Sequence, residues 1–160
     1  MIRVLFVCLG NICRSPMAEA VFARLVDEAG LAGEIQADSA GTAGWHAGEP
    51  ADQRTLAVLR QHGIPHAGRS RQIQQKDLKQ FDVIVAMDSE NLTDLLFLDR
   101  DRSLNVKLNK LMDFAPSGYP KDVPDPYYNG QFDLVYELVD AGGRGLLEHI
   151  RKEHGIEAYG

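Results

Sequence analysis

The stretch Cys8-Leu9-Gly10-Asn11-Ile12-Cys13-Arg14-Ser15-Pro16 places a nucleophile and a cation in one short loop, six residues apart. It follows the apolar run Ile2, Val4, Leu5, Phe6, Val7 and precedes a helical pattern. A strand that turns through a short loop straight into a helix leaves several backbone N–H groups without intrahelical partners, ready for an anion. Gly10 opens backbone angles closed to other residues, so these amides can curl around a tetrahedral oxyanion. The expected phosphate-binding set is therefore Leu9, Gly10, Asn11, Ile12, Cys13, Arg14 and Ser15. Ser15 suits a helix N-cap, and Pro16 suits the first helical position. At Cys8 the helix dipole, the inward amides and a cation all favour thiolate over thiol. Arg14 offers a planar fork that grips two equatorial oxygens while the sulfur attacks phosphorus.

A lone Cys at a strand end is ordinarily a small buried hydrophobe. Here Gly10, Arg14, Ser15 and Pro16 stand in register behind it, which argues for chemistry. Zinc is a poor fit, because Cys8 and Cys13 lack ligand spacing and no second Cys pair exists. No metal or other cofactor is expected. Loss of a phenolate from phosphate needs a proton donor, and Asp125 is the candidate, held between Pro124 and Pro126 on a stiff loop. Cys13 invites two readings: packing beneath the loop, or capture of an oxidised Cys8 as a reversible disulfide.

The run Val7 to Pro16 resembles the signature of the low-molecular-weight protein tyrosine phosphatases. The likeness extends through Asp38-Ser39-Ala40-Gly41-Thr42, Gly63-Ile64-Pro65, Met87-Asp88 and Asp125-Pro126-Tyr127-Tyr128. It implies a cysteinyl-phosphate mechanism on tyrosine-phosphorylated proteins, with Cys8, Arg14 and Asp125 catalytic. Phosphate, vanadate or sulfate would occupy the same cradle. The resemblance further implies that Asn11, Ser15 and Ser39 hold the loop in shape, with the Ser15 hydroxyl near the sulfur. Trp45, Tyr127 and Tyr128 would form aromatic walls of a slot deep enough to favour aryl phosphates. The family's loop network contains a His where this chain has Gly68, so that part of the bracing is either missing or supplied by His66 or another group. Three rivals share features of the pattern. Protein-arginine phosphatases on the same loop tend to carry Thr where Ile12 stands. Thiol-dependent arsenate reductases need further cysteines, and none follows Cys13. An inactive phosphotyrosine-binding module would be expected to lack Cys8, Arg14 or Asp125.

Composition sets the frame. A chain of 160 residues suits one core, and 44% hydrophobic with 25% charged residues is ordinary for a soluble globule. A net charge of −6 argues against nucleic acid or an anionic membrane as partner. No apolar stretch approaches the roughly 20 residues that span a bilayer, and no leader is expected ahead of the first strand. With two Cys, one needed as thiolate, a reducing cytoplasmic setting is expected.

The elements that position these residues follow from periodicity. The run 2–7 reads as a central strand apolar on both faces. Helical spacing begins at Pro16 and stops at Gly30. Strands are expected at 35–40, 81–87 and 106–108, and helices at 52–62, 76–80, 89–97 and 132–153. The last helix should turn Leu134, Val135, Leu138, Val139, Leu146, Leu147 and Ile150 inward, with Gly142 and Gly143 as a kink or close-packing point. Asp99-Arg100-Asp101-Arg102 reads as a solvated connection. Within the polar loop 41–50, Trp45 and His46 read as one wall of a cleft. The predicted fold is one α/β three-layer domain over 1–160, a parallel sheet with helices on both faces. The four-strand order 2-1-3-4 is what the family resemblance implies.

Overall fold

A computed structural model describes residues 1–100 and 108–156. The chain runs β1 (Ile2–Cys8), α1 (Arg14–Glu28), β2 (Ile35–Gly41), α2 (Gln53–Gln61), α3 (Asp77–Gln80), β3 (Val83–Ala86), α4 (Ser89–Leu98) and β4 (Leu108–Lys110), followed by a 3-10 turn (Leu111–Phe114), α5 (Pro126–Asn129) and α6 (Phe132–His154). The sheet is parallel with order β2-β1-β3-β4, as the resemblance implied. Among the described residues no helix is long and apolar enough to cross a membrane.

Alternation along β1 decides which way Cys8 faces. Val4, Phe6 and Cys8 join the core beneath α1 and α6, whereas Leu5 and Val7 join the opposite core with Leu78 and Leu95. Phe6 meets Phe22 of α1 edge to face, with ring centroids 5.4 Å apart. Cys8 thus ends the buried central strand on the side where α1 begins. Both faces of β1 are covered, which is why its sequence reads as a continuous apolar run rather than an alternating one.

Several boundaries differ from the sequence reading. The first helix starts at Arg14 with Cys13 as N-cap, so Ser15 and Pro16 are its second and third residues. Strand β3 is shorter than 81–87, and Asp52 lies outside α2 as a cap whose carboxylate accepts from the Arg54 N–H at 2.8 Å. Asp99 is buried rather than solvated; Asp101 and Arg102 lie outside the described residues, as do 106 and 107 of the predicted last strand. Leu134 is 37% exposed, not inward, because it lies off the stripe that Val135, Leu138 and Leu146 bury.

Helix α6 runs unbroken through its glycines, which are packing points. A Cβ at Gly142 would lie 2.7 Å from Leu111 Cγ, and one at Gly145 would lie 1.7 Å from the Phe114 carbonyl oxygen. The 3-10 turn presses directly on the helix backbone there. Gly145→Ala is expected to cost about 3 kcal/mol or more, since backbone rather than a movable side chain must give way. Gly33→Ala, where nothing lies within 4 Å, is expected to change stability by less than about 1 kcal/mol. Urea denaturation midpoints of the two variants would check this; equal effects would refute the packing account.

Candidate active site

The loop between β1 and α1 is held by its carbonyl groups. Thr42 N–H donates to Cys8 O and Ala43 N–H to Leu9 O, both at 2.9 Å. The Ser70 hydroxyl donates to Asn11 O at 2.5 Å, and Asp52 N–H donates to Ile12 O at 2.8 Å. Cys13 O accepts from Met17 N–H and the Thr55 hydroxyl, each at 3.3 Å. In a planar trans peptide the N–H points opposite to the preceding C=O. Outward carbonyls therefore turn the amides of Leu9, Gly10, Ile12, Cys13 and Arg14 toward the concave side, where an oxyanion would sit.

The left-handed residue in the loop is Asn11, at φ 58°, not Gly10. Asn tolerates this conformation better than most residues. Gly10 matters for space instead, since a Cβ there would lie 3.1 Å from His46 Cδ2. Gly41 is similarly constrained: a Cβ would stand 2.8 Å from Leu9 O, so the end of β2 can approach the loop only without a side chain.

Behind the loop runs a directed hydrogen-bond chain. Arg71 N–H donates to Asn11 Oδ1 at 3.0 Å, which fixes which end of the Asn11 amide is oxygen. Its Nδ2 then donates to Ser15 Oγ at 2.8 Å and to Ser39 Oγ at 3.0 Å. Ser39 Oγ donates onward to Glu19 Oε1 at 2.5 Å. Because Ser15 Oγ already accepts from Asn11, its own hydrogen is free for Cys8 Sγ, 2.9 Å away. Asn11 N–H also donates to the sulfur at 3.3 Å, so this amide faces sulfur rather than an oxyanion. Ser15 is therefore a donor to sulfur, not the helix cap the sequence suggested. Asn11, Ser15 and Ser39 are thus bonded to one another behind the loop. Ser70 and Arg71 also hold Asn11 from behind the loop. His66 instead packs beside Gly68, and burial holds its imidazole below the usual value.

Arg14 is buried, and its orientation is set from across the sheet. Nη1 donates to Asp88 Oδ2 at 2.5 Å and to Val123 O at 3.0 Å, while Nη2 lies 3.8 Å from Asp125 Oδ2. Burial opposes its charge, but attraction to Cys8 and the bond to Asp88 hold its pKa above the ordinary arginine value. Asp88 is itself fixed as the N-cap of α4, accepting from Asn91 N–H at 2.8 Å. Sequence reasoning gave Asp88, Ser70, Arg71 and Glu19 no part in the site. Asp88 had one local signal, an acidic residue just before a helix; the others had none.

Cys8, Leu9, Gly10, Ile12, Cys13, Arg14, Trp45, His46, Asp125, Tyr127 and Tyr128 line one cleft of about 150 Å³. Asp125 caps α5, its Oδ1 accepting from Tyr127 N–H at 3.0 Å, which leaves Oδ2 as the oxygen nearer Arg14. Tyr127 and Tyr128 meet edge to face at 5.0 Å. The Arg54 guanidinium lies 5.4 Å from the Tyr127 ring centroid. Trp45 and Tyr128 are 74% and 90% exposed, so these walls are rims rather than enclosing surfaces. Asn11, Ser15 and Ser39 do not line the cleft; they support it from behind. The Cys13 thiol is pushed up to about 12, by burial first and then by the negative charges of Asp52, Cys8 and Asp125.

The family described as "Low molecular weight phosphotyrosine protein phosphatase" matches residues 3–155. A low molecular weight protein-tyrosine-phosphatase of Streptomyces coelicolor is 49% identical over 94% of each chain. The protein-tyrosine-phosphatase YfkJ of Bacillus subtilis is 47% identical over 96% of this chain and 98% of its own. Its crystal structure superposes with a TM-score of 0.92, covering 96% of both chains. A Drosophila arginine phosphatase aligns at 33% identity and a TM-score of 0.86, covering 92% of this chain and 97% of its own.

Glu19 makes the bracing network sensitive to pH. Burial raises its carboxyl from 4.5 to about 7, the Ser39 hydrogen bond and Arg71 pull it down, and Asp38 adds to the rise. The folded state thus holds a proton that the unfolded chain has released. Its stabilising effect is complete below about pH 4.5 and is lost as pH rises through about 7. Glu19→Gln should therefore gain on wild type by about 1–3 kcal/mol between pH 5 and 8. Thermal melts of both proteins across that range test it; a difference independent of pH would remove Glu19 as the titrating group.

Proposed function

The chain belongs to the low molecular weight phosphotyrosine protein phosphatase family, and from that premise we propose that it hydrolyses phosphotyrosine in proteins through a cysteinyl-phosphate intermediate. The observation that carries the reading is the convergence of Cys8 Sγ, the Arg14 guanidinium and the Asp125 carboxyl on one small cleft floored by inward amides.

In the first step a lone pair of Cys8 Sγ forms the S–P bond as the bond from phosphorus to the phenolic oxygen breaks. The Asp125 proton passes to that oxygen, and tyrosine leaves as a neutral phenol. Two hydrogen bonds to sulfur, from Ser15 Oγ and Asn11 N–H, stabilise its negative charge before attack. Charge on the equatorial oxygens meets the Arg14 fork and the amides of Leu9, Gly10, Ile12 and Cys13, donors already oriented before the reaction begins. In the second step water attacks phosphorus, the S–P pair returns to sulfur, and the water proton goes to the Asp125 carboxylate. Inorganic phosphate is released, and vanadate or sulfate would fit the same cradle.

Arg14 meets its task because Asp88 fixes one edge of the guanidinium and leaves Nη2 directed toward the cleft. Trp45, Tyr127 and Tyr128 favour an aryl ester over shorter phosphoserine, since an aromatic rim gains contact only from a ring long enough to reach it. Ile12, a branched apolar residue lining the cleft, supports tyrosine rather than arginine as the phosphorylated side chain. A reducing cytoplasm suits an enzyme whose sulfur must stay unoxidised.

Two experiments bear on this reading. Cys8→Ser should abolish p-nitrophenyl phosphate turnover, and Asp125→Ala should lower kcat on phosphotyrosine by roughly 10²–10⁴, least for leaving groups of low pKa. A small, uniform loss in Asp125→Ala would remove it as the acid. Cys13, buried beside the nucleophile, is the proposed resolving thiol after oxidation of Cys8 to sulfenic acid: its sulfur forms the S–S bond and the sulfenic oxygen leaves as water. Oxidation removes the Cys8 charge, one of the causes that raise the Cys13 thiol, but burial persists, so capture is expected to be slow. Peroxide-treated Cys13→Ser should recover less activity with dithiothreitol than wild type; equal recovery would refute the disulfide.

A further inference from the structure

Beside the catalytic cleft lies a second hollow of about 400 Å³, between the loop after β2 and the end of α4. Leu9 and Trp45 line both, so the two are continuous across one indole ring. On its far side stands Phe97, 80% exposed, with Leu98 beside it. Large apolar side chains gain nothing from water, and three partly or fully exposed ones, Leu9, Trp45 and Phe97, around one depression mark a binding surface more than chance does. Asp94 also lines the hollow and continues into an acidic strip with Glu90. Among the described residues Asp94 has no ion-pair partner.

We propose that this hollow is an accessory subsite for the substrate polypeptide, taking an apolar side chain two or three residues from the phosphotyrosine, with a basic residue favoured next to it. The proposal rests on the phosphatase reading, because the cleft must hold the phosphotyrosine for the hollow to meet its neighbours. An extended chain advances about 3.3–3.6 Å per residue, so a residue two or three positions away reaches about 7–10 Å, past the Trp45 ring. The main chain crosses at Leu9 and Trp45, the apolar side chain rests against Phe97 and Leu98, and the cation meets Asp94. Phe97 is then a specificity residue that touches neither the phosphate nor the reacting atoms.

The test uses phosphotyrosine peptides that differ only in having Leu or Gly at positions two and three on either side, assayed with wild type and Phe97→Ser. Wild type should prefer a Leu peptide by about tenfold in kcat/KM, and Phe97→Ser should reduce that preference to about twofold or less. p-Nitrophenyl phosphate, which fills only the catalytic cleft, should be turned over by both at similar rates. Asp94→Lys should reverse a preference for Lys over Glu at the adjoining position. Equal losses on all peptides, or no change in preference, would overturn the subsite. So would a fall in sedimentation coefficient in Phe97→Ser with peptide preference intact, which would assign the patch to a second copy of the chain. Failure of wild type to hydrolyse p-nitrophenyl phosphate would instead bring down the phosphatase reading itself.

Discussion

The structure depends on keeping one strained loop turned inside out. Five residues between a buried strand and a helix must present amides to a concave surface, and a free loop would not hold that arrangement against its own conformational entropy. The carbonyls are therefore bonded outward to partners from three different segments, at 42–43, 52–55 and 70. Every one of those bonds is made between groups of the chain itself. The cradle is consequently organised before substrate arrives, which is the condition under which fixed dipoles stabilise charge most effectively.

Charge is managed by the same principle. A buried guanidinium is costly unless it is paired and fully hydrogen-bonded. Asp88 and the Val123 carbonyl meet that need on one edge of Arg14 and leave the other edge toward the cleft. Asp125 shares its carboxylate similarly: Oδ1 caps a short helix and Oδ2 faces Arg14. In both residues one atom performs structural work while its neighbour is left toward the cleft. Glu19 occupies the far end of the network from the sulfur. There its burial ties the bracing chain to proton activity near neutrality.

The rims differ in character from this rigid floor. Trp45 projects from the loop after β2 and Tyr127 and Tyr128 from the single turn of α5, and Trp45 and Tyr128 stay largely in water. Contacts on such surfaces are made mainly when a ligand is bound, so they serve selection more than positioning. The Phe97 hollow extends the same exposed apolar margin around the Trp45 ring, away from the reacting centre.

Local patterns in the sequence were enough to single out Cys8, Arg14 and Asp125, which the fold brings to one cleft, and the alternation of strands with helices. These depend on near neighbours, as with the continuous apolar run of β1 or Asp125 between two prolines. Leu134 went astray because an apolar residue one position off a helical stripe looks the same in sequence as one on it. Gly10 was assigned the strained backbone that Asn11 carries, since both residue types permit it and only the closed loop chooses. Ser70 and Asp88 were out of reach: they lie 59 and 74 residues from the loop residues they hold, and Ser or Asp at such places ordinarily faces water. The sequence alone thus determined which side chains are candidates for the chemistry, because reactivity resides in residue type and short spacing. Tertiary structure alone decided what holds those atoms still, because orientation requires hydrogen-bond partners that only the folded sheet brings within 3 Å.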